Sequence, residues 1–294
     1  HNCVFGRQIV MMGILILLAH KFRSLSTRTD MGVAAEKNSA WPMPSGWKGT
    51  ETEIAEGQAA QSKWGVFYCI GFAVCISFMA YDLIMSLDYR WISTMFGGWN
   101  FTTFMLMGWG SLVLITAIVS KQSGLEKYIP KLLYHDLGKL TFGFTVVWGY
   151  LFFAQLMVIW YGNLSHETGY LLTHLKIQPW PPLSYTVLAL VFVLPFILGL
   201  SKKRKMSPGT FGPVVVISLC GIWLERFILI APAVWYYDRH ASAFEGGVPL
   251  LLMTDMVIFF GFFGAWLLMF TTALYKRPLM VISDPRLDLG INRH

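Results

Sequence analysis

Seven long apolar runs recur along this chain, at residues 4–20, 64–86, 101–120, 137–162, 184–201, 211–234 and 251–275. A helix needs about 20 largely apolar residues to cross the hydrocarbon core of a bilayer, so each run is long enough, or nearly so, to span once. Inside a bilayer every backbone N–H and C=O must be paired within the protein, which leaves helices and closed barrels as the only spanning structures. Twenty-residue apolar blocks select the helix. Seven such helices with their connections use nearly all of the 294 residues, so no large extramembrane domain is expected. Only 13% of residues are charged and mean hydropathy is +0.54, where a soluble domain carries about 25% charged residues. The fold class predicted is an all-α polytopic membrane protein of about seven transmembrane helices.

The runs divide the chain into a first transmembrane helix (1–20), a polar loop (21–63), a six-helix membrane region (64–275) and a tail (276–294). The WPMPSGW segment at 41–47 reads as an extended or turn-like stretch, its tryptophans suited to the headgroup layer. Basic residues set the orientation. Lys121, Lys127 and Lys131, the KKRK run at 202–205, and Lys276, Arg277, Arg286 and Arg293 all fall on one side of a seven-span topology. The connections 87–100, 163–183 and 235–250 are poor in basic residues and rich in aromatics. The positive-inside rule then places the basic segments, the 21–63 loop and the tail in the cytoplasm. An apolar run that begins almost at His1 reads as the interior of a longer protein, with an odd number of spans expected before it.

Several function classes lack their sequence signatures. The net charge of +7 is spread over short clusters beside apolar runs, which is the pattern of membrane loops and not of nucleic-acid binding. Four cysteines (Cys3, Cys69, Cys75, Cys220) form no CxxC or CxxCH, and three lie in apolar helices as small hydrophobes. The seven histidines fall at helix ends, in loops or in tails, so no pair is placed to ligate a haem within the bundle. Neither GxxxxGK[ST] nor GxGxxG occurs. No cofactor is expected on this chain.

Ionisable groups inside spans are the informative ones, since each costs about 2.5–3.5 kcal/mol at the bilayer centre. They are Asp82, Asp136, Lys139, Glu225, Arg226 and Asp255. At 100° per residue, Lys139, Gly143, Val147, Tyr150, Ala154 and Tyr161 lie within about 60° of Asp136. That stripe suits a hydrated path or a polar helix seam. It also suits a simpler reading, in which Asp136 and Lys139 are interfacial and Lys139 snorkels. Thr141 and Thr145 fall off the stripe, and Gln155 points toward a neighbouring helix. Ser218, Gly221 and Glu225 share one face of their helix. Glu225 could relay protons, contact a quinone ring, or form half of a structural ion pair; Arg226, about 100° round the helix, need not be its partner. Asp82 and Asp255 lie near helix ends, where solvation explains them.

The strings MSLDYRWISTMFG (85–97), DLGKLTFGFTVVWGYLFFAQLMVIWYGNL (136–164) and GIWLERFILIAP (221–232) resemble the polysulfide-reductase/NrfD family of membrane subunits. Within that family they look most like the smaller NrfD-like (ActF-type) subunit of bacterial alternative complex III. The IWYGNL helix end followed by Glu167, and the later W-x-E-R, carry the resemblance, which extends over about 64–275. It implies a subunit of a quinol:electron-acceptor oxidoreductase in the inner membrane of respiratory or photosynthetic bacteria. Ten helices would form two four-helix bundles with extra spans, of which these seven are the last. The partners implied are a paralogous larger NrfD-like subunit, an iron–sulfur subunit and c-type cytochrome subunits, with lipid and menaquinol or another quinol. Haem c and iron–sulfur clusters would reside in those partners, and the quinol chiefly on the larger paralogue. The smaller subunit would supply scaffold and a proton route drawing on Asp136, Lys139, Tyr150, Tyr161, Glu225 and Arg226. An autonomous secondary transporter and a purely structural anchor are the competing expectations.

Overall fold

The computed structural model describes residues 2–38, 41–88, 91–238, 247–275, 278–279 and 281–284. Those residues are overwhelmingly helical and contain no strand. Seven helices are long and apolar enough to cross a membrane: Val4–Lys37, Thr50–Leu87, Phe96–Gln122, Lys131–Gly162, Trp180–Gly199, Pro208–Val234 and Leu252–Tyr275. The chain is an all-α, multi-pass membrane protein. Most of the 276–294 tail and the centre of the 235–250 connection lie outside the described residues.

Two connections differ from expectation. The polar stretch 21–63 is mostly not a loop: helix α1 (Asn2–Lys37) runs through its first part and α2 (Thr50–Leu83) begins within it. Only 38–49 joins them. Segments such as VAAEK and ETEIAEGQAAQ are strong helix formers without being apolar, so a search for apolar runs finds only the membrane-embedded part of each helix. The aromatic connection 163–183 likewise contains a helix, α5 (Ser165–Lys176). At 12 residues it is too short to span.

The described chain forms two compact units. In the first, residues 1–75 with 256–291, α1 and α2 make an antiparallel hairpin. Phe22 stacks on Tyr68 with ring centroids 6.2 Å apart. Further along, Arg28 grips Glu53 through two bonds of 3.1 and 2.9 Å and also donates to the Ser45 carbonyl. Trp47 Nε1 donates to Glu36 Oε1 at 2.6 Å, which ties the connection to α1.

The second unit, residues 76–255, holds a four-helix bundle. Its members are α3 (Phe96–Gln122), α4 (Lys131–Gly162), the α6–α7 pair and α9 (Pro208–Asp238). Each packs on the next in a ring, with α3 against both α4 and α9. The α6 segment (Trp180–Leu188) passes through a π-helical stretch, Ala189–Val193, into α7 (Leu194–Gly199). Pro195 has no N–H for the carbonyl four residues back, and the wider turn absorbs that defect. The widened turn lies against Gly221, where an added Cβ would meet Leu190 Cβ at 2.8 Å. The KKRK run forms one further turn, α8 (Lys202–Lys205), capped by the Ser201 hydroxyl. A last helix, α10, spans Gly247–Tyr275. The main core of the unit is aromatic, with Phe96, Trp148 and Val191 fully buried.

Candidate functional site

The bundle core holds a buried carboxylate. Glu225 of α9 is 3% exposed. Its carboxylate accepts from Trp148 Nε1 of α4 at 3.2 Å and from Thr103 Oγ1 of α3 at 3.5 Å. Arg226 pairs with it at 3.2 Å and donates through its other amino group to Asn100 Oδ1. The guanidinium lies over the Phe104 ring, 5.6 Å from its centroid. The sequence left Glu225 and Arg226 unpaired because neighbours on a helix point about 100° apart. Both side chains are long enough to bend toward α3, where they meet.

Beside Glu225 lies a cavity of about 300 Å³. Trp148 and Phe152 stack along α4 with centroids 5.4 Å apart and planes 3° from parallel. Trp99 leans on both, at 5.6 and 6.3 Å. Helix α5 supplies Tyr170 and His174 to the cavity. Tyr170 stacks on Trp91 at 4.2 Å, and the His174 ring follows at 4.4 Å. His174 sits between two carbonyl oxygens, with Nδ1 at 2.9 Å from Tyr170 O and Nε2 at 3.3 Å from Ile228 O. Burial pushes its pKa below the usual imidazole value, against the pull of those two carbonyls and of Asp88. Burial, with Asp88 and Glu225 adding to it, raises the Tyr170 phenol well above its ordinary range. Tyr170 is therefore a neutral wall of the cavity at any physiological pH.

The expected stripe on α4 turns the other way. Tyr150 is 65% and Tyr161 85% exposed. Asp136 and Lys139 pair with each other at 2.8 Å, both half-exposed. The interfacial reading of those two describes their place, and the stripe does not line the bundle interior. The inward face of α4 instead carries Tyr134, Thr141, Thr145, Trp148 and Gln155. Thr141 and Thr145, off the stripe, are buried, while Gln155, expected to face a neighbouring helix, accepts from Ser93 Oγ of the connection before α3 at 3.3 Å. The shared face of Ser218, Gly221 and Glu225 does point inward, with Ser218 4% exposed.

A small void of about 10 Å³ is lined by Thr141, Thr145 and Ser218, room for about one water. The Ser218 hydroxyl has no protein partner among the described residues. Toward the end of the bundle that carries the KKRK turn, Ser120 and Tyr134 exchange a bond of 3.2 Å. There Lys205 is buried over the Phe142 ring, with Nζ 4.8 Å from the centroid. Its Cβ and Cγ reach the space beside Gly138. Burial, then the nearby Lys139, lowers its pKa. Asp82 is half-buried at the end of α2; Asp255, expected near a helix end, is half-buried about two turns inside α10.

Asn100, Thr103, Trp148, Trp91, Trp99 and His174 were not singled out by sequence. A signal existed for two of them. Asn100 and Thr103 interrupt the start of an apolar run, in FGGWNFTTF, with side chains that seek partners in lipid. Nothing in the sequence marked His174, because α5 itself was not foreseen. No protein-family model matches the chain, and no curated protein matches it.

Proposed function

We propose that this chain is an integral membrane subunit of a quinol:electron-acceptor oxidoreductase of the alternative complex III type. It serves there as scaffold and proton route in a bacterial inner membrane. One observation carries the reading. The three strings that resemble the NrfD-type subunits are far apart in sequence, yet they meet around one site. The first supplies Trp91 and Phe96, the second Trp148 and Gln155, and the third Glu225 and Arg226. Structural ballast alone gives no reason for a chain's recognisable strings to converge on a buried carboxylate.

The proton route runs inside the bundle and not along the Asp136–Tyr150 stripe. From the basic end it follows the hydroxyls of Thr141, Thr145 and Ser218, with one water in the void, toward Glu225. The Thr141 and Thr145 hydroxyls donate to the Leu137 and Thr141 carbonyls, so a relay requires them to rotate toward the void, where a hydroxyl can donate and accept at once. Glu225 stores the proton, and Arg226 balances the carboxylate when it leaves. The partners are the larger NrfD-like paralogue, an iron–sulfur subunit and c-type cytochrome subunits. Those partners hold the haem c and iron–sulfur clusters, and menaquinol or another quinol is the reductant.

Purification from native membranes in mild detergent tests the assignment. c-Type haem absorbance and an iron–sulfur protein are expected to co-elute with this chain. A chain that elutes alone, as an autonomous transporter would, overturns it.

A further inference from the structure

One cation inside the second unit has no acid to balance it. Lys205 is 9% exposed, and no ion pair among the described residues includes it. Its stem packs on Gly138 of α4, and its ammonium lies over the Phe142 ring, 4.8 Å from the centroid. Asp136, the acid of that stretch of α4, is taken by Lys139 at 2.8 Å. A buried charge without a counter-ion is costly, so an anion held at this end of the bundle stabilises the fold.

A second cavity, of about 480 Å³, opens between the α3–α4 connection and the KKRK turn. Lys131, on the same face of α4 as Gly138 and about two turns before it, lines one wall, and Lys203 lines another. Both lysines are exposed, and neither forms an ion pair among the described residues. The Ser207 hydroxyl, also in the lining, is without a partner there. Lys131 and Pro208 are the first residues of α4 and α9, whose first turns carry no acid, so two positive helix ends add to the field of the lysines. One acid, the exposed Glu126, stands at the rim. Two cations against one carboxylate, with the buried Lys205 beyond them, exclude a cationic occupant and favour an anion.

The depth of the cavity says where that anion comes from. Four spans end or begin around it, at Gln122, Lys131, Gly199 and Pro208, which is the level of the bilayer's phosphates. Near the end of α3 and in the first turn of α4, Ile118 and Leu133 are exposed and offer apolar surface to acyl chains. We propose that this cavity is a headgroup site for an anionic glycerophospholipid with a hydroxyl-bearing headgroup. Its phosphodiester sits between Lys131 and Lys203 and accepts from Ser207, and the headgroup hydroxyls donate to Glu126. Basic pockets between spans are suited to such headgroups, while a zwitterionic headgroup brings its own cation into a site already positive. The site goes beyond the redox assignment above and does not depend on it.

The test is photolabelling of the protein, as purified from its membrane, with a phosphatidylglycerol that carries a diazirine beside its glycerol backbone, followed by peptide mapping. Label is expected in 126–134 or 203–208. Unlabelled phosphatidylglycerol should suppress it, and neither phosphatidylcholine nor millimolar inorganic phosphate should. Lys131→Gln and Lys203→Gln are each expected to lower the label about fivefold, while Lys131→Arg and Lys203→Arg keep most of it. Both lysines are exposed, so an unchanged elution profile is expected of every variant. Lys121→Gln is the control. Lys121 is exposed in the last turn of α3 and outside the cavity lining, so the same loss of charge there should leave the label unchanged. An equal fall in Lys121→Gln would mean diffuse surface charge and overturns the cavity. Suppression by inorganic phosphate as strong as by the lipid overturns the lipid source, and suppression by phosphatidylcholine overturns the anionic headgroup. Label that persists in the Lys131→Gln, Lys203→Gln double variant overturns the proposal as a whole.

Discussion

Glu225 is held by three groups, one from each of two other helices and one from its own neighbour, and those groups decide how its variants behave. Glu225→Gln keeps an oxygen to accept from Trp148 Nε1, which donates to the native carboxylate at 3.2 Å. Folding is expected to survive, and the proton-to-electron ratio of the proposed complex to fall, because an amide cannot carry the proton. Glu225→Leu leaves the Trp148 N–H buried without an acceptor and the Arg226 charge without its carboxylate, with only Asn100 Oδ1 still accepting from it. Removing one partner of a buried ion pair costs about 3–5 kcal/mol, so this variant is expected to lower the thermal midpoint or the yield of folded protein. Tyr150→Phe serves as the control, since Tyr150 is outward-facing and its loss should change neither measurement. A fully assembled Glu225→Gln protein with an unchanged ratio would leave a scaffold and no relay.

At the scale of elements, α5 is held in part by a titratable side chain. In the tautomer with its proton on Nε2, neutral His174 donates to the Ile228 carbonyl and links α5 to α9, and burial holds its pKa below the ordinary value. The folded state therefore favours the neutral ring, while the displaced helix has an imidazole that titrates near 6.5. The resulting stabilisation is complete above about 6.5 and is lost as pH falls from there toward the lowered pKa. Protection of the 165–176 amides, after correction for the base-catalysed intrinsic exchange rate, is expected to be lower at about pH 5 than at about pH 8. His174→Gln should flatten that difference; a pH-independent wild type would show that the imidazole does not control docking. This helix was hidden in the sequence for a physical reason. Twelve residues with mixed polarity give neither a membrane-length run nor strong caps, and α5 is held by what it covers. The extension of α1 and α2 through 21–63 was hidden differently, since polar helix formers look like loop to any measure of hydropathy.

For the whole molecule, orientation rests on the basic segments. Position 203 is exposed and position 205 buried within the same four-residue turn. Lys203→Cys is expected to react with a membrane-impermeant maleimide only when the cytoplasmic face is open, and Lys205→Cys to react slowly from either side. Efficient labelling of position 203 in intact cells would invert the topology and unseat the proposed direction of proton flow. The number of spans was legible because bilayer thickness sets run length, and each helix satisfies its own backbone without help from its neighbours. Helical periodicity also told correctly which residues share a face: Ser218 with Gly221 and Glu225, and Asp136 with Lys139, Tyr150 and Tyr161. What it could not tell is which face turns inward. In water, burial of apolar surface orients a helix. In lipid the surroundings are as apolar as the core, so a stripe of tyrosines can point outward while two threonines and a tryptophan pack inside. That choice was made only when α3, α4, α6–α7 and α9 closed on one another, and it buried Glu225 among Trp148, Thr103 and Arg226.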